Sequence, residues 1–259
     1  MWESRISRAE GLAAQTPAVR ELLTFYAALL GAQREVYERL RRRNGWLPSG
    51  ALEHDLLALR AMAPRLLTVV AANAPETLAA EAQRLLQAGE SATDQLLLDY
   101  WRAPSDTRFF AKAFLQPYAQ WLVETGARPV DRDPDPGMNL CPHCGAKPQL
   151  SLLHSVEGAQ ESGGRSLLCC LCLSAWPFRR VVCAHCGEER PAKLGYFTSP
   201  EYDHVRIEAC DSCGHYIKGI DLTRLGLAVP LVDEVAAAPL DLWAREQGYT
   251  KIELNLVGL

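Results

Sequence analysis

Cys141-Pro142-His143-Cys144-Gly145 is echoed 42 residues later by Cys183-Ala184-His185-Cys186-Gly187. A second type of pair, Cys169/Cys172, recurs 41 residues later as Cys210/Cys213, and Arg165, four residues before Cys169, recurs as Arg206. All nine cysteines of the 259-residue chain fall between Cys141 and Cys213, and eight of them form these four C-x-x-C pairs. Two thiolates on a tight turn grip one metal ion, and four complete a tetrahedral shell. One C-x-x-C alone could be a redox pair. Four in so short a stretch predict two sites of four cysteines each. The fixed offset reads as two copies of one supersecondary unit. It predicts sequential pairing: Cys141, Cys144, Cys169 and Cys172 around one ion, Cys183, Cys186, Cys210 and Cys213 around the other. A cross-braced arrangement, first pair with third and second with fourth, is the competing topology. Gly145 and Gly187 follow their pairs where a left-handed backbone would turn amides toward sulfur.

Between the pairs, Leu150, Leu152 and His154 alternate, as do Val205, Ile207 and Ala209, the pattern of short strands. A β-ribbon with two cysteine knuckles per metal is the zinc-ribbon or rubredoxin-like plan. Cys170 lies inside Cys169-Cys170-Leu171-Cys172. It reads as a small buried hydrophobe, with a free reactive thiol as the alternative. His143 and His185 occupy the same slot in their knuckles, and four thiolates leave them a surface role or one behind the ligands. Trp176 and Phe178 could cover a metal site or pack against the helical region.

Residues 1–125 read as helical. Thr16 is a candidate N-cap with Pro17 at the first helical position. Val19, Leu22, Leu23, Tyr26 and Leu30 form an amphipathic stripe that Val36, Tyr37 and Leu40 extend. Arg41, Arg42 and Arg43 before Asn44-Gly45 suit a helix C-terminus. Pro48-Ser49-Gly50 breaks the chain. Leu52, Leu56 and Leu59 start a helix that Pro64 interrupts, and the apolar run Leu66 to Ala72 is expected to be buried. Further helices are expected from Pro75 to Gly89, Ser91 to Trp101 and Asp106 to Thr125, the last kinked at Pro117. His54 reads as structural or exposed. Residues 126–140 read as a stiff linker, with Pro129, Pro134, Pro136, Gly137, Asp131, Asp133 and Asp135. The tail, 221–259, is expected to hold a helix from Pro239 to Gln247, a stop at Gly248 and a closing strand from Tyr249 to Val257.

The fold class is therefore α+β. An N-terminal all-helical domain (1–125) and a linker (126–140) precede two tandem rubredoxin-like or zinc-ribbon modules (141–220, with the ribbons at 141–176 and 183–217). A short α/β tail (221–259) follows. Hydrophobic residues make up 48% of the chain, enough for a real core, and the net charge of −4 offers no cationic field for nucleic acid or anionic lipid. No apolar run approaches the roughly 18 residues of a membrane span. No secretory signal is visible at the N-terminus, which favours metal over disulfides in a reducing compartment.

All-sulfur ligation suits two zinc ions or two rubredoxin-like irons. Four protein ligands leave no open position for hydrolysis, and no nucleophile–base pair or phosphate-binding loop is evident, so the chain is not read as an enzyme. An assembly protein, an electron carrier and a nucleic-acid-binding zinc protein are the classes left. Residues 141–220 hold eight Lys and Arg against eight Asp and Glu. Four thiolates per divalent ion add about −2 per site, the wrong sign for phosphate.

The ordered set resembles the family of the formate dehydrogenase accessory protein FdhE. It comprises the Cys141-Pro-His-Cys144-Gly knuckle, Arg165 with Cys169 and Cys172, Trp176, Arg179, Cys183-Ala-His-Cys186-Gly, Glu208-Ala-Cys210-Asp-Ser-Cys213 and Tyr216-Ile217-Lys218. The tail from Pro239 through Trp243, Gly248 and Tyr249 to Asn255 fits too, and Leu12 to Gln33 fits more loosely. The resemblance implies a cytoplasmic protein that matures respiratory formate dehydrogenase by contacting its molybdenum-bearing catalytic subunit. It also implies iron bound through the eight paired cysteines. Relatives are expected to carry more sequence ahead of the first helix.

Overall fold

The computed structural model describes residues 1–42, 46–104, 108–130, 139–155 and 163–259. The chain forms two compact units: Met1–Pro134 with His143–Gly145 and Leu171–Leu173, and Asp135–Pro142 with Ala146–Cys170 and Ser174–Leu259.

In the first unit α1 (Trp2–Gln15) packs along α2 (Arg20–Arg42). The chain between them does not start a helix on a Thr16 cap, as the sequence led one to expect. It makes a 3-10 turn, Pro17–Val19, and the Thr16 side chain caps nothing. Pro17 still supplies the fixed φ that a helical first turn needs. The expected stripe of α2 is buried at Leu23, Tyr26, Leu30, Val36, Tyr37 and Leu40. Arg39, Arg41 and Arg42 occupy its last turn, while Arg43, Asn44 and Gly45 lie outside the described residues.

After the expected break come α3 (Leu52–Leu59), a 3-10 turn and α4 (Ala63–Asn73), with Pro64 opening α4 rather than ending a helix. The apolar run in α4 is buried on one face only: Leu66, Leu67 and Val70 are inside, whereas Thr68 and Ala72 are exposed. Packing on α2 and α5 takes one stripe, and the rest of the run meets water. Next, α5 (Glu76–Arg102) is two helical segments joined at Gly89, whose φ of 80° breaks the helix where the sequence places a boundary.

The last helix of the unit, α6 (Phe109–Thr125), starts three residues after the expected Asp106, which lies outside the described residues. It is buried on nearly all sides and contains Pro117. Proline has no N–H to give the carbonyl four residues back, here Ala113. The fully buried Gln33 of α2 fills that gap, its Nε2 donating to Ala113 O at 2.7 Å and to Gln116 Oε1 at 3.1 Å. Asp55 of α3 likewise accepts from Tyr118 Oη at 2.6 Å and from the Ser49 amide at 3.0 Å. Of the expected linker, Asp131, Asp133, Pro134, Asp135, Pro136 and Gly137 lie outside the described residues. Gly126 ends α6 in a left-handed conformation, and the Val130 amide donates to Gly50 O at 3.1 Å.

The second unit holds one seven-stranded sheet: β1 (Pro148–His154), β2 (Gly164–Cys169), β3 (Ala175–Pro177), β4 (Leu194–Thr198), β5 (Val205–Cys210), β6 (His215–Asp221) and β7 (Thr250–Lys251). The spatial order is β3-β2-β1-β6-β5-β4, with β7 beside β6. The repeat read in the sequence is thus two antiparallel three-stranded meanders, β1-β2-β3 and β4-β5-β6. They are not separate beads. The first strand of one pairs in parallel with the last strand of the other, Leu150 opposite Lys218 through Leu153 opposite Asp221. β1 is buried along both faces, except at His154, rather than alternating, so both sides of the sheet are covered here.

Two buried polar clusters hold this sheet. On one face, Arg165 of the first meander donates to Glu208 of the second at 2.5 Å, to Ser151 Oγ, and to the carbonyls of Arg179 and Val182, each at 2.9 Å. Its repeat partner Arg206 binds the other Glu208 oxygen at 2.7 Å. Gly219 makes room for them, since a Cβ there would stand 2.6 Å from Glu208 Oε1.

The second cluster joins the sheet to two tail helices, α7 (Pro230–Ala236) and α8 (Ala238–Glu246). Lys218, wholly enclosed, binds Asp241 and the Glu234 carbonyl. Lys251 binds Glu234 Oε1 at 2.5 Å and Asp241 Oδ1 at 3.1 Å; Tyr216 Oη donates to the same Asp241 oxygen at 2.8 Å, and Gln149 donates to Glu234 Oε2 at 2.6 Å. Burial first, and then Lys251, lower the Lys218 amine to about 8.

The tail departs from expectation in two places. α7 was not foreseen, and the closing strand from Tyr249 to Val257 shrinks to the two residues of β7. Past Asn255 the reason is local: its Oδ1 accepts from the amides of Val257 and Leu259, which bends the chain out of a ladder. Gly248 stops α8 with φ 86°, as expected.

Lys218→Met strands a buried Asp241 beside one remaining cation. It should lower unfolding free energy by about 3 kcal/mol, read as a drop in the denaturant midpoint of the metal-loaded protein; an unchanged midpoint contradicts the role given to this cluster.

Candidate metal centres

Each C-x-x-C pair sits on a knuckle built the same way. The amide of the first cysteine donates to the carbonyl five residues on: Cys141 to Ala146, Cys169 to Ser174 and Cys183 to Glu188, all at 2.9 Å. In the fourth knuckle, Gly214 N donates back to Cys210 O at 2.8 Å. The residue after the second cysteine is left-handed in all four: Gly145 at φ 68°, Leu173 at 57°, Gly187 at 75° and Gly214 at 68°. The sequence flagged Gly145 and Gly187. It hid the position in the second knuckle, where Leu173 is the one described non-glycine residue with positive φ. Such a turn points successive amides at sulfur. His185 N and Cys186 N reach Cys183 Sγ at 3.3 and 3.5 Å.

The knuckles bring together Cys141, Cys144, Cys169 and Cys172, and separately Cys183, Cys186, Cys210 and Cys213; within each set the sulfurs lie within 4.8 Å of one another. The grouping is sequential, not cross-braced. In the second set Cys183 and Cys213, and Cys186 and Cys210, are 3.8 Å apart. A tetrahedron with metal–sulfur bonds of about 2.3 Å has edges of about 3.8 Å, so these thiols stand at the spacing that one tetrahedral ion requires. Donor type and geometry both fit.

The two centres differ in exposure. All four cysteines of the first are buried, whereas Cys186 is exposed and Cys213 half-buried in the second. Burial pushes the Cys183 and Cys213 thiols up. At Cys186 burial also raises the thiol, but the Glu188 amide and the neighbouring thiols donate to its sulfur and leave it net lowered. A carboxylate outside the shell ties the two knuckles of this centre: Glu188 accepts from Ser212 Oγ at 2.6 Å and from Arg190 at 2.6 Å, which holds it well below the usual carboxylate range. No spacing rule links Glu188 to Ser212, so that brace is invisible before folding.

Cys170 is buried, its thiol belongs to neither set, and its amide donates to Lys147 O at 3.1 Å. Trp176 lies buried in β3 opposite Leu167, and the Phe178 ring lies 5.2 Å from the Arg165 guanidinium carbon. His143 is half-buried. His185 stacks on His215 with ring centroids 3.8 Å apart, a pair that sequence spacing did not reveal because only β6 brings the second ring alongside.

Comparison with known proteins follows the same division. The model described as FdhE, central domain, matches residues 140–180, and that described as FdhE, C-terminal domain, matches residues 181–257. A Protein FdhE homolog of Aquifex aeolicus is 41% identical over 152 residues, 58% of this chain and 52% of that protein. One of Pseudomonas aeruginosa is 32% identical over 231 residues, 85% of this chain and 69% of that protein. The chain belongs to the FdhE family. It shares its fold with the crystal structure of the FdhE protein from Pseudomonas aeruginosa, at a TM-score of 0.70 and 24% identity over 99% of this chain and 95% of that one. The match spans about half the length of several FdhE homologs, as it does for that of Aquifex aeolicus at 52%. The boundary between the FdhE central and C-terminal models, at residues 180 and 181, falls between the two cysteine sets. No helix among the described residues is long and apolar enough to cross a membrane.

Left-handed backbone costs an L-residue with a side chain about 1–2 kcal/mol. Gly187→Ala should therefore destabilise the protein by about 1 kcal/mol, whereas Leu173→Gly should leave it as stable or more so. Denaturant midpoints of the two variants against the parent check this; equal losses in both would contradict the shared knuckle geometry.

Proposed function

We propose that this protein is an accessory factor for respiratory formate dehydrogenase, without turnover of its own, that binds the catalytic subunit of that enzyme in the cytoplasm. The observation that carries the reading is the pair of four-thiol clusters, one with two sulfur pairs at the 3.8 Å edge of a tetrahedral shell, in a chain of the FdhE family. Cys141, Cys144, Cys169 and Cys172 would hold one ion, and Cys183, Cys186, Cys210 and Cys213 the other. Either zinc or iron suits four thiolates. With every position taken by sulfur, the ion offers no site to a substrate. What it supplies is folding free energy, because thiolate ligation fixes the knuckles. The ribbons and the helices would then offer the client a preformed surface.

A rubredoxin-like electron carrier is the second reading. Exposure of Cys186 favours it, since electron exchange needs a ligand near solvent. Colour separates the two metals. Purified protein with iron(III) should absorb in the visible through thiolate charge transfer, and zinc protein should not.

In cells, Cys183→Ser with Cys186→Ser should lower respiratory formate dehydrogenase activity while the client polypeptide is still made. The tagged parent protein should capture the catalytic subunit. A deletion strain with normal activity, together with no capture, would overturn the accessory reading.

A further inference from the structure

The two cysteine centres come from one repeat, yet their rims are chemically different. Beside the second centre, His185, His215 and Cys213 place their ligand atoms within 4.8 Å of one another. Cys213 also belongs to the four-thiol set, so the two groups share a sulfur. At the first centre the slot of His185 is taken by His143, but the slot of His215, two residues past the second cysteine, is taken by Ser174. Among the described residues no histidine pair stands beside the first centre.

His215 is already arranged as a metal-binding imidazole. Its Nδ1 lies 2.8 Å from the Cys213 carbonyl, which has no proton, so Nδ1 carries the hydrogen and donates. That fixes the tautomer in which Nε2 presents a lone pair. A ligating histidine is commonly oriented by this kind of backbone contact. His185 is exposed and lies on the same rim, with its amide bonded to Cys183 Sγ at 3.3 Å and its carbonyl accepting from Asn139 at 3.0 Å. The two rings are only 12° from parallel. Parallel imidazoles cannot both aim in-plane lone pairs at one ion, so the rim does not close a shell of its own. It suits a transient ligand set.

We propose that His185 and His215, with Cys213, form the entry and exit port for the metal of the second centre, and that the second centre exchanges its ion with solvent while the first does not. The ligand class is a soft or borderline divalent cation, such as zinc or iron(II). Entry begins with imidazole nitrogen and the Cys213 sulfur. Bonds to nitrogen are then replaced by bonds to Cys183, Cys186 and Cys210, and the displaced thiol protons pass to solvent. Exposure of Cys186 leaves this side open, whereas all four thiols of the first centre are buried. The inference rests on the reading that both sets hold metal.

The test uses the full chain loaded with zinc. An excess of EDTA is added, pulses of N-ethylmaleimide are given at intervals, and each cysteine is scored by mass spectrometry. Cys183, Cys186, Cys210 and Cys213 should be modified first, as a set, and Cys141, Cys144, Cys169 and Cys172 much later. Simultaneous labelling of both sets, or the first set leading, overturns the proposal. Stripped protein is then refilled with zinc and sampled in the same way. His185→Ala and His215→Asn should each slow protection of the second set by on the order of tenfold. Final zinc content and the refilling of the first set should not change. The asparagine amide retains a donor toward the Cys213 carbonyl, and the first set reports on folding within the same molecule. His143→Ala should refill like the parent. Variants that refill the second set at the parent rate overturn the port. A chain that protects no cysteine with zinc overturns the metal reading itself, and the port with it.

Discussion

Four thiols within 3.8 to 4.8 Å of one another are the constraint on which the cysteine unit depends. Four thiolates so close repel one another, and a buried thiolate is costly without a counter-charge. Without metal, burial pushes the Cys183 and Cys213 thiols toward keeping their protons, while hydrogen bonds to its sulfur outweigh burial at Cys186. A divalent ion at each centre would remove the conflict. The knuckles are turns of a few residues with left-handed ends, and apart from Leu171 the apolar side chains they bury are small. The sheet beneath helps to fix them, and metal ligation would add to it.

The sheet does this by joining the repeats. Pairing β1 with β6 turns two short ribbons into one surface, and Arg165 and Glu208 close the seam with an ion pair from opposite repeats. A lone buried ion pair is often no more stable than an apolar substitute. Here both partners are saturated, Arg165 by a hydroxyl and two carbonyls and Glu208 by a second arginine, so neither charge is left unmet. The Lys218–Asp241 and Lys251–Glu234 cluster repeats the principle on the face under α7 and α8.

Much of this was legible in the sequence, for a physical reason. Metal ligation demands fixed residue types at fixed spacing, so Cys141 through Cys213 announced the centres, their grouping and the repeat. Gly145 and Gly187 announced the turn, because only a left-handed position calls for glycine there. Features set by distant contacts were hidden. Strand alternation in β1 could not reveal that distant elements, α7 among them, pack on it and leave neither face open. The extended tail pattern from Tyr249 could not show that Asn255 would take the backbone amides for itself. Leu173 hid a left-handed site behind an unfavourable residue, and the His185–His215 stack depends on β6 laying one knuckle beside another. In the helices, Pro117 advertised a missing amide hydrogen bond but not the Gln33 amide that compensates for it.

The central claim is that the eight paired cysteines hold two ions in sequential, all-sulfur shells. Elemental analysis of fully loaded protein combined with X-ray absorption at the metal edge tests it most directly. The account predicts two ions per chain, each with four sulfur neighbours at about 2.3 Å. One ion per chain at saturation, or a nitrogen in the resident shell, would contradict it.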